Sequence, residues 1–153
     1  GKLARTTLTS SFWGNIIDHG IDLIHPPFWY IAWAMGLGAI GLGLEPSQYW
    51  WVVGAILIGY IIQRIMEGMW TKVVGLTSHI WRPIDTVFRL ITARRNPNLA
   101  ILTISALAGR PDIGIVAVAV WVVLCLGFHT VQLAQAFRAR RSEPVVSWMT
   151  RRP

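Results

Sequence analysis

Charge is scarce in this sequence. Of its 153 residues, 14% are Asp, Glu, Lys or Arg, whereas a soluble domain carries about 25%. Cysteine is scarcer still. The single Cys125 sits inside an apolar run, cannot form an internal disulfide and reads as a small buried hydrophobe, so the redox compartment is not informed. Acidic residues number 7 against 14 basic ones. No internal repeat or low-complexity tract appears. The first residues carry no signal-peptide pattern and do not open on Met, which gives the expectation of a chain cut at its N-terminus.

What fills the sequence instead is apolar. Hydrophobic residues make up 54% of it, nine of them Trp, and the mean hydropathy is +0.49. Long apolar runs with few charges read as membrane spans. The net charge of +7 would suggest nucleic acid in a soluble protein. Here the basic residues lie between the apolar runs and no aromatic-basic interleaving is visible. The charge is therefore assigned to membrane topology, and a nucleic-acid partner is not expected.

Along the chain, residues 14–25 read as an amphipathic lead-in, continuous with a span whose core is residues 28–44. Pro26 and Pro27 predict a bend or a break between the two. Residues 45–48 read as a tight turn and residues 49–66 as a second span. Residues 67–98 are polar and mixed, residues 99–108 apolar but short, and residues 113–136 form the clearest span before a basic tail. With the first loop inside, thirteen basic residues fall on the inner side and only Arg110 on the outer. That bias requires residues 99–108 to cross as well. The expected fold is an all-α, multi-pass membrane domain of four helices, with both termini cytoplasmic.

The chemistry concentrates near the start. Asp18 and Asp22 are four residues apart, which on a helix puts them on one face about 6 Å apart at Cβ. Two carboxylates at that spacing repel unless a cation lies between them or one stays protonated. A solvated helix end is the plainer alternative. Gly14 continues the same stripe one turn below Asp18 and leaves room for a ligand to approach the backbone.

The spacing upstream extends this pair into a longer pattern: Gly1, Ala4 and Arg5, eight residues, Gly14, three residues, Asp18, three residues, Asp22. This resembles the signature of the CDP-alcohol phosphatidyltransferase family, D-x2-D-G-x2-A-R, eight or nine residues, G-x3-D-x3-D, at every position from Gly1 onward. The family has six transmembrane helices, and its signature joins the second to the third. The resemblance therefore implies that the four spans are the family's third to sixth. It also implies that the signature's first two aspartates precede Gly1 and that these 153 residues alone are inactive.

The resemblance further implies transfer of a phosphatidyl-type group from a CDP-linked lipid donor to a small alcohol acceptor, with release of CMP, in phospholipid synthesis. Two divalent cations, Mg²⁺ or Mn²⁺, would sit among four aspartates. By position Asp18 is then a metal ligand, and Asp22 is the general base and a metal ligand too. Gly1, Ala4, Arg5 and Gly14 line the CDP pocket. Arg64 and Glu67, spaced to share a face at the end of a span, are the candidates for binding the acceptor. His25 joins them because it returns to the face of Asp18. His19 points off that face and reads as polar packing. The acceptor itself is left open. The assembly is a bilayer-embedded chain, with a homodimer as one form it allows. Two other classes remain: a small transporter or ion- or proton-conducting subunit using Asp18 and Asp22, and a metal-binding membrane scaffold without catalysis.

Overall fold

The structure is a computed structural model and describes residues 11–141 and 145–150. Gly1, Ala4 and Arg5 lie outside the described residues, as do the side chains of Asn15, Asp18, His19 and Asp22. Helix accounts for 81% of the described chain, with no strand among the described residues. Among the described residues five α-helices follow one another: α1 Phe12–Ala39, α2 Pro46–Val74, α3 Pro83–Ile91, α4 Arg95–Leu107 and α5 Pro111–Arg140. A single 3-10 turn, Ser78–Ile80, lies between α2 and α3.

Helix α1 opens with Ser11 as its N-cap, whose side chain accepts from the Gly14 amide at 3.0 Å. It does not break at the prolines. The helix runs through Pro26 and Pro27, which leaves the carbonyls of residues 22 and 23 without their intrahelical donors. Pro26 is buried. The helix ends at Ala39 rather than near residue 44, because Gly36, Gly38, Gly41 and Gly43 lower helix propensity and Gly41 takes φ 73°.

The turn expected at residues 45–48 is instead the first turn of α2. Pro46 occupies the position where its missing N–H costs nothing, and Gly75 at φ 79° closes the helix beyond Val74. The mixed segment 67–98 is likewise mostly helical. Its α3 is inside out for a soluble protein. Ile84, Val87, Leu90 and Ile91 are exposed, while Asp85 and Thr92 are buried.

The core gathers around α5. Tyr30, Ala34 and Leu37 of α1, Val53 and Ile56 of α2 and Leu102 of α4 pack with Ile115, Val118, Val122 and Cys125. Two glycines allow the close crossings. A Cβ at Gly59 would lie 2.4 Å from Val122 Cγ1, and one at Gly114 would lie 1.9 Å from Ser105 Oγ. Gly109 at φ 71° turns α4 back into α5.

Two helices, α2 and α5, are long and apolar enough to cross a membrane. Only 22% and 33% of their apolar windows are buried within the chain, so most of that surface needs an apolar cover from outside it. Helix α4 has 13 residues, about 20 Å at 1.5 Å per residue, against a hydrocarbon core of about 30 Å.

Candidate functional site

At the end of the bundle where α2 runs out, polar side chains from four elements converge. Arg64 and Glu67 lie one helical turn apart on α2 and form a two-pronged pair, with Arg64 Nη1 on Glu67 Oε2 at 2.8 Å and Nη2 on Oε1 at 3.0 Å. Arg94, the N-cap residue of α4, donates to the same Oε1. One carboxylate therefore ties two guanidinium groups from helices that start and end at this level. Arg64 also lies over the Tyr60 ring, 5.6 Å from its centre.

Arg89 comes from α3 and His79 from the 3-10 turn. Arg89 Nη1 and His79 Nδ1 are 3.0 Å apart, so with an arginine as donor His79 Nδ1 is the acceptor and the ring is neutral. Burial holds His79 below its ordinary imidazole range, and the positive charges of Arg89 and then Arg94 push it further down.

These residues line a cavity of about 580 Å³ together with Leu23, Tyr60 and Thr71. An adjoining cavity of about 420 Å³ shares Tyr60, Arg64, Arg89 and Arg94 and adds Pro26 and Arg95. In the larger one, Arg64, Arg89 and Arg94 against Glu67 leave an excess of two positive charges. Half-sheltered guanidinium groups around an open volume suit a multiply charged anion, phosphate above all.

Helix α1 enters this site at a definite height. Leu23 lines the larger cavity and Pro26 the smaller. Residue 22 is adjacent to Leu23 and one turn before Pro26, and residues 18 and 14 lie one and two turns further back. The backbone thus brings the turn carrying Asp22 beside the cavities.

The sequence-predicted residues divide accordingly. Arg64 and Glu67 do share a face and come together. His25 is exposed, 5.7 Å ring to ring from Trp29, and lines neither cavity. Gly14 is exposed near the start of α1. Arg89 and Arg94 stood among several basic residues with nothing to distinguish them, and only the packing of α3 and α4 picks them out. His79 was missed altogether, since a three-residue turn leaves no periodic signal. Arg82 and Asp85 serve the scaffold. Arg82 grips buried Asp85 through Nε at 3.0 Å and Nη2 at 3.1 Å, and stacks over Trp81.

A second polar chain braces the site from behind. Thr92 Oγ1 lies 3.2 Å from His129 Nε2, His129 Nδ1 lies 3.2 Å from Gln132 Oε1, and Gln132 Nε2 donates to the Ser78 carbonyl at 3.1 Å. With Nδ1–H donating to Gln132, Nε2 accepts from Thr92.

Among the described residues no group of three or more His, Cys, Asp or Glu side chains could hold a metal ion. Among the described residues Glu67 is the one carboxylate lining the two cavities, and both its oxygens are engaged by arginine.

No family model, curated protein or solved structure matches this chain.

Proposed function

We propose that the chain is membrane-embedded and belongs to an enzyme that transfers a substituted phosphoryl group from a CDP-linked lipid donor to an alcohol. The observation that carries this reading is one of placement. The turn of α1 bearing Asp22 borders cavities lined by Arg64, Arg89 and Arg94. This supports a reading in which an acid for proton transfer works beside cations for phosphate, in a chain whose Gly1, Ala4, Arg5, Gly14, Asp18 and Asp22 fit the CDP-alcohol phosphatidyltransferase signature.

The membrane setting is supported by α2, by α5 and by the inverted α3. A helix that shows Ile84, Val87, Leu90 and Ile91 outward and buries Asp85 suits the headgroup-acyl boundary. The four-crossing topology includes α4, which is about 10 Å short of the hydrocarbon thickness. Its first residues then lie below the membrane surface, and Arg94 there is matched by Glu67. The cavity is thus recessed but open to the cytoplasmic side. Cysteine labelling tests this: Ser47→Cys should react with an impermeant reagent from outside and Ser142→Cys should not. The reverse pattern would overturn the topology.

In the proposed reaction, the acceptor oxygen forms a bond to the donor's lipid-linked phosphorus. The bond from that phosphorus to CMP breaks, and CMP leaves. Asp22 removes the hydroxyl proton. Asp18 and Asp22 would hold divalent cations, which supply charge neutralisation to the diphosphate. Arg64, Arg89 and Arg94 hold negative charge on the acceptor or on the transferring group, and Glu67 fixes two of them in place. An ion- or proton-conducting role for the aspartates fits less well, because three guanidinium groups beside the path repel cations.

Two checks decide the reading. The signature demands Asp immediately before Gly1 and another three positions earlier in the gene-encoded protein. That protein should release CMP from CDP-diacylglycerol in the presence of Mg²⁺ or Mn²⁺ and one of a panel of alcohols. No release with any alcohol would sink the proposal.

A further inference from the structure

Beyond α5 the chain turns back. Residues 145–150 lie against the segment between α2 and α3, the wall that carries His79. Ser147 Oγ donates to the Ile80 carbonyl at 2.8 Å, and the Trp148 amide donates to the same oxygen at 3.2 Å. Trp148 Nε1 donates to Thr86 Oγ1 at 3.1 Å, and the Thr86 hydroxyl donates in turn to the His79 carbonyl at 2.6 Å. Ser147 is 5% exposed, and Val145 packs on the cluster of Trp70, Trp81 and Ala136.

A three-residue 3-10 turn holds itself poorly. Its backbone bond is Ile80 N to the Thr77 carbonyl at 3.2 Å. All three of its carbonyls accept from elsewhere: Ser78 from Gln132 of α5, His79 from Thr86 of α3, and Ile80 from the tail. The tail reaches two of these three anchors, one directly and one through Thr86. His79, at the centre of the turn, meets Arg89 across the cavity mouth.

We propose that residues 145–150 are a strap that positions His79, and through it Arg89, so that the C-terminal segment sets how tightly the cavity holds a phosphate-bearing ligand. This rests on the anion-cavity reading above. Ser147, Trp148 and Thr86 are positioning residues that touch no ligand. The groups facing His79 are Arg89 from α3, Arg94 ahead of α4 and Glu67 from α2, with Asp85 of α3 and His129 of α5 around the small void behind it. Releasing the strap lets the imidazole turn away from the two arginines toward water.

The test compares the whole chain in detergent with its Ser147→Ala/Trp148→Phe variant, which keeps the aromatic packing and removes two donors. The His79 ring is titrated by nitrogen NMR, assigned with His79→Gln, and inorganic phosphate affinity is measured on the same samples. The strap predicts that the affinity falls about three- to tenfold, as for loss of one or two hydrogen bonds, and that His79 titrates closer to the free imidazole range. Thr86→Val should do the same with the tail intact, and it decides the matter if the double variant loses its fold. An unmoved His79 titration with unchanged phosphate affinity would overturn the strap. Failure of the unaltered chain to bind phosphate would defeat the anion-cavity reading instead; the His79 titration alone would then judge the strap, a shift supporting it and no shift refuting it.

Discussion

The part of the bundle around Gly59 and Gly114 and the part around Glu67 are held together by different means. In the first, helices meet through small residues. Gly59 admits the Val122 side chain, Gly114 admits Ser105, and Ile56, Ile115 and Val118 are wholly enclosed. The cavity nearby, about 640 Å³ between α1 and α4, is lined by Trp29, Trp33, Leu37 and Leu102 and has no charged side chain on its wall. In the second, arginines from three segments surround one carboxylate and leave two cavities open. Close packing defines shape, and the open volume beside it offers no charge to a ligand. Among the described residues the guanidinium groups of the second region outnumber the carboxylates and leave charge for something else to satisfy. The proposed function uses this difference, with the second region holding the ligand and the first holding the frame.

The contrast is broken most severely by removing the acid beside the cavities. Asp22→Asn in the gene-encoded protein should lower turnover by about a hundredfold or more, the usual weight of a positioned base, with little change in thermal unfolding. Asp18→Asn should instead raise the divalent-cation concentration needed for half-maximal CMP release. Full activity in either variant would remove the role given to that residue.

The packed region should answer in stability and not in binding. Gly59→Val forces a side chain into Val122 and should cost about 1–3 kcal/mol, as overpacking does. Denaturation in detergent measures this. Phosphate affinity of the protein that remains folded should be unchanged, and a variant as stable as the parent would show that the α2–α5 crossing is looser than described.

The charged region should answer in binding. Glu67→Gln removes the internal counter-charge between Arg64 and Arg94 and leaves the larger cavity with an excess of three positive charges in place of two. Phosphate should then bind about three- to tenfold more tightly at low salt, with a steeper salt dependence. Weaker binding would mean that Glu67 matters more for holding the arginines in place than for offsetting their charge.

The smallest effect concerns pH. His79 has its folded-state titration held down by burial and by Arg89 and Arg94. Above the ordinary imidazole range, near 6.5, both folded and unfolded states are neutral and the residue contributes nothing. As pH falls below that value the unfolded chain takes up the proton first, so stability declines until the folded-state value is passed. The unfolding midpoint should therefore fall below about pH 6.5, and it should fall less in His79→Gln. Parallel pH curves for the two proteins would show that the Arg89 contact is not kept in solution.

The sequence made the helical, apolar character plain, because long runs such as those in α2 and α5 need only composition to be recognised. The Arg64–Glu67 pair was also legible, since both residues lie on one helix and their spacing puts them on one face. Residues on different elements were not. Arg94 meets Glu67 and Arg89 meets His79 only because α3 lies across the bundle end and α4 begins beside it, and no local pattern encodes that meeting. The prolines misled for a related reason. Their local cost at residues 26 and 27 is real, yet the helix runs through both, with Pro26 buried. Pro46 was read as a turn residue, although proline in the first turn of a helix is a start signal. The tail looked merely basic because Ser147 and Trp148 find their partners more than sixty residues back, at Ile80 and Thr86.

The central claim is that the aspartate turn of α1 and the arginine cavity form one site. The most direct measurement is the KM for the alcohol in divalent-dependent CMP release by the gene-encoded protein, compared with its Arg89→Gln/Arg94→Gln variant under conditions where both are shown to be folded. The account predicts that the variant's KM for the alcohol, or for the CDP-linked donor if the cavity holds the transferring phosphate, rises at least about tenfold, as expected when charge-assisted hydrogen bonds to phosphate are lost. Wild-type KM values for both substrates together with wild-type turnover would contradict it.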